Sequence, residues 1–277
     1  MGTPSFSVPT LEALVLAFPD TRISVVCKPD THRGRGKEVS PCPVKKIAID
    51  YNLTHFTPSS KDELSSVVNT VLPDLIVIIA YGMILPKSIT ERFLCINTHA
   101  SLLPQYRGPS PIHAALLAGD LVTGTTLMTI NDKMDEGDVL DIQEISILAE
   151  DNLLSLQDKL ALLGAKQLTE YLSGIESVDK IIRHPQDHSK ASYCKLMTTK
   201  DRELSWDLSA QEMLGKIRAF SPKPGAFLNH NNQKVHILDA RIDNNEIHFI
   251  TVKPEGKSAM SYHDYCLGHP EGLTRPC

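Results

Sequence analysis

The sequence predicts an α/β protein: a mostly parallel sheet covered by helices on both faces, followed by a smaller β unit. Three observations carry that expectation. Short β-branched apolar runs alternate with helix-patterned segments through the first two thirds of the chain. These runs are apolar throughout rather than at every second residue, as strands buried on both faces are. After about residue 174 the periodicity fades into a polar stretch, and segments of alternating pattern take over. With 277 residues, 42% hydrophobic and 22% charged, the chain can bury one large core and a smaller one.

In chain order, the expected strands of the first unit are ISVVC (23–27), LIVIIA (75–80), FLCIN (93–97), TTLMTI (125–130) and VLDIQEISI (139–147). A helix over 60–71 opens with Ser60 and Glu63 at capping-box spacing. A second, over 111–118, starts at Pro111, and a long one near 152–172 repeats leucine at 153, 156, 160, 163, 168 and 172. The polar stretch 177–203 reads as a linker between a first domain, 1–176, and a second, 204–277. In the second domain Ser209 and Glu212 make another capping box ahead of Leu214, Ile217 and Phe220. KVHILDARI and EIHFITV then alternate as strands of a small antiparallel barrel.

Composition narrows the function classes. No run approaches the roughly 18 apolar residues of a membrane span, and the start lacks the basic-then-apolar shape of a signal peptide, so a cytoplasmic address is expected. The six cysteines show no CxxC pair and no metal-ligand spacing, and are expected to be reduced thiols. Net charge is −5, so any nucleic-acid contact must come from a local patch. One such patch exists: Lys28, Arg33, Arg35, Lys37, Lys45 and Lys46 stand against Asp30 and Glu38 in a Gly-rich segment. Neither GxxxxGK[ST] nor GxGxxG occurs, which sets aside a P-loop enzyme and a dinucleotide-dependent dehydrogenase.

The chemistry-bearing stretch is NTHASLLPQYRG, 97–108. Asn97 and His99 alternate at a strand end, so both side chains point to one side and Thr98 to the other. DKMDEGD, 132–138, follows another apolar strand and sets carboxylates beside Gly137. An imidazole, a carboxamide and a carboxylate suit acyl transfer, as proton shuttle, oxyanion donor and orienting group. In a sheet of this kind ligands bind outside the carboxyl ends of the strands, where Asn97 and residues 80–83 are expected.

NxHxSLLPxxRGxxP followed by DxGD resembles the folate-dependent formyltransferases, which move a formyl group from 10-formyltetrahydrofolate to an amine. The resemblance implies a catalytic trio of Asn97, His99 and Asp135, the last because it holds the first position of DxGD, and it implies no metal. It also implies that the folate lies against Tyr81, Gly82, Met83, Ile84 and Leu85, with Ser101, Leu102, Leu103 and Pro104 shaping the pocket. MGTPSFSVPTLEAL, KPDTHRGRGKEVSPCPVKKIA, SWDLSAQEMLGKIRAFSPKPGAF and PEGKSAM are similar to the members that formylate initiator methionyl-tRNA for translation initiation. Those members imply a monomer with a Rossmann-like first domain and an OB-like, tRNA-binding second one. The tRNA contacts implied are Arg33, Arg35 and Lys37 in the loop and Lys195 and Lys200 in the linker. A formyltransferase acting on glycinamide ribonucleotide or an amino sugar, and a non-catalytic folate-binding relative, are the alternatives.

Two departures from the family pattern stand out. Members begin with an apolar strand before the G-T-P turn, whereas here the turn starts at Gly2, so the first strand is expected to be missing and its neighbours to be left without a partner. A mis-assigned start would explain this, and an organellar address stays open if a segment precedes. The C-terminal barrel also has less chain than the family spends on it, so a shortened form is expected.

Overall fold

The computed structural model describes residues 1–33, 38–231 and 233–273. The helices are α1 (Val8–Ala17), α2 (Pro43–Asp50), α3 (Lys61–Val71), α4 (Lys87–Thr90), α5 (Pro111–Ala118), α6 (Leu153–Gly174), α7 (Ala210–Phe220) and α8 (Tyr262–Gly268). The strands are β1 (Ser24–Val26), β2 (Thr31–Arg33), β3 (Glu38–Ser40), β4 (Thr54–Phe56), β5 (Ile76–Ile78), β6 (Cys95–His99), β7 (Val122–Thr129), β8 (Val139–Ser146), β9 (Ala226–His230), β10 (Gln233–Asp243), β11 (Glu246–Pro254) and β12 (Met260–Ser261). They form two compact units. One comprises residues 1–107, 124–145 and 158–192, the other 108–123, 146–157 and 193–277. Among the described residues no helix is long and apolar enough to cross a membrane.

In the first unit β5 pairs parallel with β6 and β6 antiparallel with β7, with β8 at the far side of β7. β1 and β4 form a separate parallel pair, and β2 and β3 an antiparallel ladder. β5 is apolar on both faces for a reason. Ile76 and Ile78 pack with Leu64 and Val68 of α3, while Val77 packs with Ile96, Leu127 and Leu168. α3 is held at its start by Ser60, whose hydroxyl accepts from the Glu63 N–H at 3.1 Å, but the Glu63 carboxylate turns to Ser59 rather than closing the box on Ser60.

Residues 1 and 2 join the sheet between β1 and β5. Gly2 donates to Val26 O (3.0 Å), Ile79 donates to Met1 O (2.9 Å), and Gly2 forms a parallel bridge with Ile79, so residues 1 and 2 occupy the last two places of a strand between β1 and β5. An apolar slot of about 430 Å³ opens there, lined among others by Leu11, Leu14, Val25, Val68, Ile76 and Val77. The Met1 ammonium donates to Val77 O at 2.6 Å, and burial pushes its pKa down to about 6. The buried Ser24 hydroxyl, from the slot's wall, has no partner among the described residues.

The second unit carries the expected β domain as an open antiparallel sheet in the order β12–β11–β10–β9. α7 starts with the full reciprocal box between Ser209 and Glu212. It buries Met213, Ile217 and Phe220, as the sheet buries Phe227, Val235, Ile237 and Val252. α5 packs against α7, and Gly215 makes that close approach possible: a Cβ there would sit 3.1 Å from Leu116 O.

Candidate active site

Register brings the site together on β6. Ile78 of β5 pairs with Asn97, so residues 79–83 and 98–101 leave this parallel pair at one end. Asn97 stands mid-strand rather than at the strand end, because Thr98 and His99 continue the ladder opposite Leu127 and Thr126 of β7. Because β7 is antiparallel, the loop 130–138 begins beside Ile96, at the far end of β6, and doubles back. Asp138 N donates to Thr129 Oγ1 (2.9 Å) and Thr129 N to Asp138 O (2.8 Å), pinching the loop's base. Gly137 lies so tightly on β7 that a Cβ would fall 1.7 Å from Thr129 O.

His99 is buried, with one ring nitrogen on each of two protein groups. Nε2 lies 3.0 Å from Tyr106 O, and Nδ1 lies 3.8 Å from Asp135 Oδ2. A carbonyl oxygen only accepts, so Nε2 carries the hydrogen in either protonation state. Nδ1 is then the nitrogen that can take a proton, facing a carboxylate just beyond hydrogen-bonding range. Asn97 is on the same face of the strand, and no hydrogen bond to its side-chain amide is formed among the described residues. Thr98 turns the other way: its Cγ2 would be 2.7 Å from a Cβ at Gly164 on α6. That alternation explains three consecutive polar residues on a buried strand.

The frame around these groups draws in Gln186 and Ser192, to which sequence reasoning gave no role. Asp135 is held in the left-handed region at φ 54°, as is Tyr106 at 56°. Gln186 Nε2 donates to Asp135 O (2.9 Å) and Gly137 O (2.7 Å). Its Oε1 accepts from Arg107 Nε (3.0 Å) and Nη2 (2.7 Å), and the Arg107 guanidinium is fully buried, also reaching Glu136 at 3.6 Å and His188 Nδ1 at 3.2 Å. Ser192 Oγ accepts from Tyr106 N (2.9 Å), and Ser192 O from Arg107 N (2.9 Å). The polar stretch 177–203 thus makes specific contacts with the site, and His184 pairs with Val139 at the start of β8.

The other expected positions divide. Tyr81 is buried, its hydroxyl without a partner among the described residues and its pKa pushed by burial to about 12. Gly82 takes φ 75°, Met83 and Leu85 half-cover the core, and Ile84 is 72% exposed. Ser101 is fully buried and donates to Gln105 O (2.6 Å). The Leu102 side chain would press within 2.5 Å on a Cβ at Gly124, Leu103 N donates to Thr126 Oγ1 (3.1 Å), and Pro104 O accepts from Ser192 N (3.2 Å). These four residues are engaged by the protein itself. Arg33 contributes its backbone to β2, while Arg35 and Lys37 lie outside the described residues. Lys195 pairs with Asp201 (2.7 Å), whose pKa this contact lowers, and Lys200 is exposed.

Comparison with known proteins bears on the whole chain. Residues 2–172 match the formyl transferase family model, and residues 196–250 match that of the formyl transferase C-terminal domain. The chain is 39% identical over 246 residues to a methionyl-tRNA formyltransferase of Sulfurihydrogenibium sp., covering 87% of this chain and 78% of that protein. It is 36% identical to the methionyl-tRNA formyltransferase of Methylococcus capsulatus, covering 97% of this chain and 95% of that one. Among solved structures, an N-formyltransferase from Helicobacter canadensis in complex with folinic acid and dTDP-3-aminofucose shares the fold at a TM-score of 0.65 and 15% identity, covering 94% and 96% of the two chains. By family model and by relatives matched along nearly its whole length, the chain belongs to the formyl transferase family, alongside its methionyl-tRNA formyltransferase members.

Proposed function

We propose that the chain transfers the formyl group of 10-formyltetrahydrofolate to the amino group of initiator methionyl-tRNA. The observation that carries this reading is the unengaged Asn97 amide on the same strand face as the His99–Asp135 pair, in a chain 36–39% identical to methionyl-tRNA formyltransferases. The amine attacks the formyl carbon, a C–N bond forms, and negative charge grows on the formyl oxygen. Asn97 donates its NH₂ to that oxygen. His99 cannot offer Nε2 without leaving the Tyr106 carbonyl, so any donation falls to Nδ1, which lies 3.8 Å from Asp135 Oδ2. Asp135 accepts the amine's proton, directly or through water, and passes it toward N10 as the folate C–N bond breaks. No step requires a metal.

Residues 81–85 supply the folate's apolar face and backbone edge, and 101–104 form the wall that keeps that pocket in shape. A folate complex of a protein of the same fold supports the donor assignment. Arg33, Arg35, Lys37 and Lys200 contact the tRNA, and Lys195 does so only when released from Asp201. We read 1–176 as the catalytic domain, 177–203 as its connection and 204–277 as a tRNA-binding domain, in a cytoplasmic monomer. The test is transfer by the purified protein from 10-formyltetrahydrofolate to methionyl-tRNA, glycinamide ribonucleotide or a nucleotide-linked amino sugar. Product on the tRNA alone is expected, and product on either small amine alone would overturn the substrate assignment.

A further inference from the structure

We propose that Gln186 is the positioning residue of the catalytic carboxylate, locked in turn by Arg107; this rests on the reading of Asp135 as a catalytic group. An αL conformation is uncommon for a residue other than glycine, and costs about 1 kcal/mol or more when it is held. Asp135 is held there, and what holds it is visible: Gln186 Nε2 ties the carbonyl of Asp135 and that of Gly137, two residues on, to one amide group. Two donors from one nitrogen fix both the position and the direction of the peptide between them, and thereby where the Asp135 carboxylate points relative to His99 Nδ1.

The amide orientation is not free either. Its oxygen accepts two N–H bonds from Arg107, which has only donors to offer, so a flip would set NH₂ against guanidinium and oxygen against two carbonyls. Arg107 is fully buried, and its peptide N–H is bound by Ser192 O. One residue before it, Tyr106 receives Ser192 Oγ at its N–H and gives its carbonyl to His99. Residues 186–192 therefore grip both sides of the His99–Asp135 pair. Loss of the Gln186 donors leaves His99 in place and releases only the acid.

The experiment compares single-turnover transfer at saturating folate and methionyl-tRNA by the parent, Gln186→Glu, Asp135→Asn and the double variant. Gln186→Glu keeps an acceptor for Arg107 but sets a carboxylate against the two carbonyls. We expect a rate loss of about tenfold or more, KM values within about threefold of the parent, and a double variant no slower than Asp135→Asn, since Gln186 acts through that residue. Amide hydrogen exchange of 135–138 should quicken while that of β6 stays unchanged. Gln186→Met, which removes the donors without adding charge, repeats the measurement should the Glu variant fold poorly. A parent-like rate in the Gln186 variants with a slow Asp135→Asn overturns the positioning role alone, as does a double variant whose losses multiply. A parent-like Asp135→Asn overturns the catalytic reading, and with it this one.

Discussion

Raising the pH from 6 to 8 should stabilise the chain that begins at Met1 by about 2 kcal/mol, through its α-amino group. That group titrates near 8.0 when unfolded and at about 6 in the fold, because burial beside Val77 O strips its water while Cys27 and Cys95 offset little of the loss. Between those values the unfolded chain binds the proton and the folded one does not, so stability climbs with pH. Well below 6 the penalty is fully present, and well above 8 it is gone. Two pKa units at about 1.4 kcal/mol each give a full span of about 3 kcal/mol, of which about 2 kcal/mol falls between pH 6 and 8, with no discount for exposure since the group is buried. His113 and His236 are also held below their ordinary value by burial and add to the rise in the same direction. The control isolates Met1. Fusing about four strand-forming apolar residues ahead of it replaces the ammonium by an amide and fills the 430 Å³ slot between β1 and β5. Each side chain fully covered there returns about 1.5–3 kcal/mol, against about 1–2 kcal/mol of backbone entropy per residue ordered. Urea unfolding followed by circular dichroism at several pH values should show a more stable variant with a shallower pH slope. Equal slopes in the two proteins would refute the argument, and equal stabilities would mean that the slot does not accept a strand.

Three further outcomes are expected. Asn97→Ala and His99→Ala should each lower transfer by about 10²–10³ while folate affinity and melting temperature barely move, checked by steady-state kinetics beside calorimetry. Gly137→Ala should displace the acid loop, since no Cβ fits against Thr129 O, with activity falling about tenfold or more and melting temperature falling with it. Arg35→Ala should cut transfer to methionyl-tRNA about tenfold at unchanged folate binding, whereas Lys195→Ala, already paired with Asp201, should show a small loss that shrinks as salt is raised.

Much of the architecture was legible because it is local. Apolar runs announced β1, β5, β6 and β7, Pro111 opened α5 where expected, and Ser209 with Glu212 announced α7. α2 escaped notice because its cap is the Cys42 thiol, which accepts from Lys45 N at 3.3 Å, and sulfur is not among the usual capping groups. β4 is three residues long, too short to show a period. At the site, Asn97 and His99 were legible as residue types on one strand face, and Asp135 only through the DxGD resemblance, but the antiparallel course of β7 was not, and so neither was the doubling back that brings Asp135 to His99. Gln186 lies in a stretch without periodicity. Its partners are 79, 51 and 49 residues away, and only the folded chain reveals them.

The second unit's assembly from three separate stretches limits how such a chain can be cut and recombined. α7 rests on α5, His113 lies 5.4 Å from Phe220, and Arg218 reaches back to Asp151 O and Leu148 O, each at 2.6 Å. A fragment starting in the polar stretch would carry the sheet and α7 but leave behind the helix and the loop that cover them, exposing the apolar side of α7 and two unmet arginine donors. Crossovers there would inherit a hydrophobic surface along with the sheet, and grafting this end onto another chain succeeds only if α5 and residues 146–157 travel with it.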